Sequence, residues 1–178
     1  MKIWDLVLRA DEKIGLENEE IYEYIGELFK GEPITNKWEK LKMYSYYKDP
    51  KNETYDILNF DGRPVFTVRF YNLLTDEIRN HIEALDVEHI EYGNLKAINV
   101  LTVLDCLDEE ASEFRFFGKF RKIEKHVFKK RFTYPAIFKI KTDNCIGCYV
   151  SDVFKDVVEK NDIKGVKFNL VWDDYILG

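Results

Sequence analysis

The chain has 178 residues, 46% of them apolar and 15% aromatic, and a formal net charge of −6. That length suits one domain, and that much apolar area fills a core, which excludes global disorder. No stretch approaches the ~20 apolar residues of a membrane span, and three cysteines are an odd, low count that fits a reducing compartment rather than a disulfide framework.

At the N-terminus, MKIWDLVLRADEK carries Asp5 inside its only apolar run and has no small-residue cleavage site. No signal peptide is therefore expected, and the expected location is cytoplasmic. KIWDLVL alternates loosely and reads as a strand. NEEIYEYIGELFKGEP follows, with Ile21, Tyr24, Ile25, Leu28 and Phe29 at helical spacing, Asn18 as N-cap, and Gly31 and Pro33 as a stop. Trp38, Leu41, Tyr44, Tyr46 and Tyr47 suggest a strand that ends at the turn KDPKNE.

Asp61-Gly62 marks a turn before a short strand from Val65 to Phe70. TDEIRNHIEALDVE predicts a second helix, capped by Thr75 and buried through Ile78, Ile82 and Leu85. Two strands are expected around Gly93-Asn94. NVLTVLD then reads as a buried strand that runs into Asp105, Asp108, Glu109 and Glu110. FRFFGKFRKIEKHVFKKRF alternates apolar and basic residues, as strands with one wet face do. AIFKIKTDNCIGCYV reads as strand, turn, strand. Ser151 should cap a third helix through Val153, Phe154, Val157 and Val158, with Gly165 ending its turn before the last strand, VKFNLVWD. These elements predict an α+β fold: a mainly antiparallel sheet with about three helices packed on it, in one domain over 1–178.

Charge is unevenly spread. Between Arg115 and Arg131 stand eight basic residues against Glu124 alone, so that segment is +7 and the remainder is −13. An acidic body with one basic stretch can steer a charged partner.

Four constellations could carry chemistry. Asp105 and Asp108 could form a general acid/base pair; equally, Asp108 and Ser112 could hold a turn while Asp105 pairs with the basic segment. Cys145 and Cys148 form a C-x-x-C, but in a turn rather than at a helix start, and without the further ligands zinc needs. His81, His89 and His126 share no spacing. The basic, Phe-rich segment could contact phosphates and stack bases, or be an ordinary amphipathic strand pair. No Gly-rich phosphate loop, G-x-S-x-G or H-E-x-x-H is present. Tyr44, Tyr46, Tyr47 and the C-terminal VWDDY combine aromatics with carboxylates, which suits a protein interface.

The order of segments resembles immunity protein family 11 of bacterial polymorphic-toxin systems. The resemblance is carried by INVLTVLDCLDEEASEF, by IFKI and by YVSDVFKDVVEKNDIKGVKFNLVWD, and more loosely by GEPITNKWEK and GRPVFTVRFYNLLTDEIRNHIEAL. It is strongest over 94–175. It implies a non-enzymatic antitoxin without a cofactor or metal, whose partner is a cognate toxin domain rather than a membrane or a nucleic acid. On that reading Asp105, Asp108, Ser112, Ser151 and Gly165 are turn and cap residues. Tyr44, Tyr46, Tyr47, Glu109, Glu110, Trp172, Asp173 and Asp174 are candidates for toxin contact. The alternatives are a small enzyme using Asp105/Asp108 or Cys145/Cys148, and a nucleic-acid module using 115–131.

Overall fold

A computed structural model describes residues 1–9, 13–16, 25, 28–47, 54–118, 120–130 and 133–174. The strands are β1 (Lys2–Leu8), β2 (Lys13–Leu16), β3 (Leu41–Tyr47), β4 (Ile57–Phe60), β5 (Arg63–Thr67), β6 (Ile82–His89) and β7 (Gly93–Val100). They continue with β8 (Val103–Leu104), β9 (Glu113–Phe117), β10 (Phe120–Lys125), β11 (Ile137–Ile140), β12 (Tyr149–Ser151) and β13 (Val166–Asp173). The α-helices among the described residues are α1 (Val68–Leu73), α2 (Asp76–Arg79) and α3 (Asp152–Lys160).

Six strands close into a barrel in the order β2-β3-β6-β7-β5-β4. Five more form an open sheet ordered β13-β1-β12-β11-β8, and β9 and β10 stand as a separate two-stranded ribbon. Most pairs are antiparallel; β2 with β4, β3 with β6, and β8 with β11 are parallel. The architecture is α+β.

Side-chain alternation along each strand sorts the core into three clusters. On β5, Val65 points into the barrel while Phe66 points out of it; on β7, Leu95 and Ala97 face in while Ile98 and Val100 face out. The outward residues meet Leu6, Ile137 and Val150 from the sheet, together with Phe70, Ile78 and Phe154 from the three helices. Phe66, Phe70 and Phe154 join barrel, α1 and α3 through edge contacts, Phe66 to Phe70 at 4.7 Å and Phe70 to Phe154 at 6.0 Å. The opposite face of the sheet packs Ile3, Phe138, Ile140, Tyr149 and Trp172 against Cys106, Leu107 and Phe128.

Several elements differ from expectation. The strand expected from Val65 to Phe70 stops at Thr67, whose hydroxyl accepts from the Phe70 backbone N–H at 3.3 Å and starts α1. The helix expected over 75–88 is only one turn long. From Ile82 the chain is strand, because Leu85, Val87 and His89 alternate with exposed Asp86 and Glu88 and pair fully with β7. Ile78, Ile82 and Leu85 are all buried, Ile78 on α2 and the other two on β6. The expected strand over NVLTVLD is broken at Leu101-Thr102, where the chain leaves the barrel on β7 and enters the sheet on β8. The first expected helix lies mostly outside the described residues. Within it, Ile25 and Leu28 are helical, and Ile25 and Phe29 are buried in the barrel cluster. The KDPKNE turn also lies outside them.

Candidate functional site

The segment that carries the four carboxylates is a tight turn beneath the ribbon. Its ends are tied to the strand-like stretch 126–129: the Asp108 N–H donates to the Val127 carbonyl and the Lys129 N–H to the Cys106 carbonyl, both at 2.8 Å. Asp108 Oδ1 accepts from the Glu110 and Ala111 N–H groups at 3.1 Å. Ser112 Oγ accepts from the Val127 N–H at 3.0 Å. Asp105 pairs with Lys129 at 3.3 Å. Glu109 takes a two-pronged contact from Arg121 at 2.8 and 3.2 Å, and these bonds hold its exposed carboxyl below the usual range. Glu110 is exposed. Neither Asp105 nor Asp108 lines the cavity at Cys145 and Cys148, the one at Asp56 and Arg69, or the one at Asp5 and Asn59.

The basic segment forms the β9–β10 ribbon and the strand-like stretch after it. Across the ribbon Phe114 faces Ile123, Arg115 faces Lys122, Phe116 faces Arg121 and Phe117 faces Phe120. Because successive residues project to opposite faces, the charges divide: Arg121 lies on the face of Phe114 and Phe116, while Arg115 and Lys122 lie on the face of Phe117. Phe114 and Ile123 are half-buried against the third core cluster. Arg121 is held by Glu109, Lys125 by Glu113 at 3.2 Å and Lys129 by Asp105. The basic residues therefore do not make one continuous free face for a nucleic-acid backbone. Lys119 and Arg131 lie outside the described residues.

The C-x-x-C turn sits at the mouth of a cavity of about 320 Å³, lined among others by Phe29, Arg63, Lys139, Cys145 and Cys148. Asn144 and Cys145 both adopt left-handed backbone angles, φ 59° and 61°. Asp143 organises this turn, accepting from the Gly147 N–H at 3.0 Å and the Tyr149 hydroxyl at 3.1 Å; Tyr149 also meets His126 Nε2 at 3.1 Å. Burial pushes the Cys145 thiol up and the Cys148 thiol up to about 12. Thiols so shifted are protonated at neutral pH, which is the reverse of an activated redox pair. Lys139, only 7% exposed, donates to the Phe29 carbonyl at 2.7 Å, and burial lowers its pKa. Among the described residues, no three or more His, Cys, Asp or Glu side chains gather as a metal site, and no helix is long and apolar enough to cross a membrane.

The remaining contact candidates are scattered. Tyr44 and Tyr46 lie on barrel strand β3, their rings 6.5 Å apart, and Tyr46 is 50% exposed. Tyr47 belongs to the same strand, and its side chain is outside the description. Trp172 is only 6% exposed and packs edge-on to Phe128 at 6.0 Å, so it serves the core rather than a surface. Asp173 is buried, and Asp174 pairs with the Met1 amino group. Ser151 occupies the N-cap position of α3, but its hydroxyl makes no capping bond. Gly165 turns the chain from α3 into β13 at φ +105°.

Sequence reasoning missed Phe116 and Phe117, which are 69% and 53% exposed. The signal was present: adjacent residues of a strand face opposite ways, so a Phe-Phe pair on a ribbon exposes at least one ring unless both faces are covered.

The model of the immunity protein family Imm11 matches residues 67–173, from the N-cap of α1 to the end of β13. No curated protein matches the chain.

Proposed function

The chain belongs to the Imm11 immunity protein family, and on that premise we propose that it is a non-enzymatic antitoxin, which binds a cognate polymorphic-toxin domain and blocks it sterically in a tight 1:1 complex. The family match over 67–173 is the observation that carries this reading. The surface chemistry is in keeping with it. Asp105, Asp108 and Glu109 are engaged by backbone or by basic side chains, and the thiols of the C-x-x-C are protonated; these residues hold turns rather than offer a poised acid, base or nucleophile.

The acidic remainder of −13 supplies long-range attraction to a toxin with a basic cleft. Of the contact candidates, Tyr46 and Glu110 are exposed enough to meet a partner without rearrangement. The test is co-expression of this chain with the C-terminal domain encoded in the reading frame directly upstream. Growth arrest by that domain alone, relieved by the chain, is the expected result. Arrest that persists at equal expression of both would remove the antitoxin reading.

A further inference from the structure

Arg115 and Lys122 are direct cross-strand partners on β9 and β10, and both are exposed. Like charges placed directly opposite one another destabilise a strand pair. Among the described residues neither has a carboxylate: Glu113 is taken by Lys125 and Glu109 by Arg121. Phe117 lies on the same face, two residues from Arg115, with its ring 5.2 Å from the guanidinium and half of its surface exposed.

The base of the ribbon, by contrast, is anchored. Phe114 and Ile123 pack into the core beneath it, and Arg121 grips Glu109 and stacks over Phe114 at 4.9 Å. A held base, an exposed aromatic ring and two exposed cations that make no ion pair among the described residues form a preorganised contact that a partner's carboxylates would complete.

We propose that the ribbon face carrying Arg115, Phe117 and Lys122 docks on the cognate toxin domain, seating Phe117 in an apolar hollow and the two cations on toxin carboxylates. This rests on the antitoxin reading and names its contact surface. The charge of the body brings the partners together from a distance, and the ribbon makes the local contact.

The experiment uses the full chain and the domain encoded directly upstream, with affinity measured by calorimetry. Arg115→Glu combined with Lys122→Glu, and Phe117→Ser alone, should each weaken binding by about 100-fold or more. Phe116→Ser, on the opposite face, should change it by less than about threefold. Lys122→Glu alone should raise the melting temperature of the free chain, since it turns a repulsive pair into an attractive one, and yet weaken binding. A merely structural lysine would not show that opposition. Wild-type affinity in the charge-reversed and Phe117 variants would overturn the docking face and leave the antitoxin reading standing. Equal losses from Phe116→Ser and Phe117→Ser would overturn it too. So would binding of single-stranded RNA by the wild type that Lys122→Glu abolishes. A wild-type chain that neither binds nor neutralises the upstream domain would bring down the antitoxin reading and, with it, the docking face.

Discussion

Glu83 and Asn99 face one another across β6 and β7, and the Asn99 amide donates to the Glu83 carboxylate at 3.1 Å. The same carboxylate accepts the Ile34 N–H at 2.9 Å and the Thr35 N–H at 2.8 Å, while Asn99 also donates to the Glu32 carbonyl at 2.7 Å. One polar pair on the barrel wall thus latches the segment that leads into β3. Glu83→Ala strands these donors and should cost about 2 kcal/mol of unfolding free energy in urea titrations. Burial raises the Glu83 pKa, but the bonds from Thr35, Ile34 and Asn99 outweigh it and leave the carboxyl below its ordinary 4.5. A depressed acid stabilises fully above its unfolded value, so the latch should weaken as pH falls below about 4.5 in the wild type and not in Glu83→Ala.

His126 provides a second pH dependence, in a higher window. Its ring stacks on Phe128 at 5.9 Å, and burial lowers its pKa from 6.5 to about 4. A lowered histidine contributes stability that is whole above pH 6.5 and is lost as pH falls toward 4, because the unfolded chain binds the proton first. Between pH 7.5 and pH 4.5 the wild type should therefore lose about 2 kcal/mol more than His126→Phe. Parallel curves for the two proteins would show that the imidazole stays wet.

The periodic parts of the chain were legible before the structure, and the closures were not. Val153, Phe154, Val157 and Val158 announced α3, and the strands of the ribbon followed from alternation, whereas the first strand of the 82–100 hairpin read as helix through residue 88. The barrel was hidden, because its closure rests on short parallel contacts such as Lys13 with Asn59, which leave no local pattern. Ile78, Ile82 and Leu85 satisfy helical spacing, while Leu85, Val87 and His89 satisfy strand spacing; pairing with β7 decided between them. At the candidate site, Trp172 looked like an interface residue by type alone, and nothing local showed that Phe128 and Tyr134 would cover it. Phe116 and Phe117 were legible through adjacency, but the alternating basic residues obscured them.

Two glycines with positive φ should behave differently. A Cβ on Gly165 would lie 1.9 Å from the Ile57 carbonyl oxygen, and the chain there is also held by bonds from the Asp56 and Ile57 N–H groups to the Lys164 carbonyl at 3.0 Å. Gly62, at φ +80°, has nothing among the described residues within 4 Å of such an atom. Gly62→Ala should cost about 1 kcal/mol, the left-handed backbone penalty alone. Gly165→Ala should cost about 3 kcal/mol or more, because backbone must also move. The difference in urea midpoints reads this directly.

Association with the toxin domain should be sensitive to salt. The acidic remainder acts before contact, so added ions screen the encounter. Stopped-flow association rates should fall about tenfold between roughly 20 and 300 mM salt, with a much smaller change in the dissociation rate. A flat response would remove charge steering while leaving steric blockade intact.

Ser151 tests whether a residue at a cap position must act as a cap. It begins α3 in extended geometry, φ −88° and ψ 177°, which suits an N-cap, and replacing a working Ser cap with Ala typically costs about 1 kcal/mol. Here the hydroxyl is buried and has no hydrogen-bond partner among the described residues. Burial of an unbonded hydroxyl is itself unfavourable. The acidic complement at this helix start comes instead from Asp152, whose carboxylate also accepts the Trp4 indole N–H at 2.9 Å and ties α3 to β1. Ser151→Ala should therefore leave the unfolding free energy unchanged or raise it by up to about 1 kcal/mol, whereas Asp152→Ala should lower it by about 1 kcal/mol. A loss of about 1 kcal/mol in Ser151→Ala would show that the hydroxyl bonds a backbone donor in solution after all, and that this helix start is built on the serine rather than on the aspartate beside it.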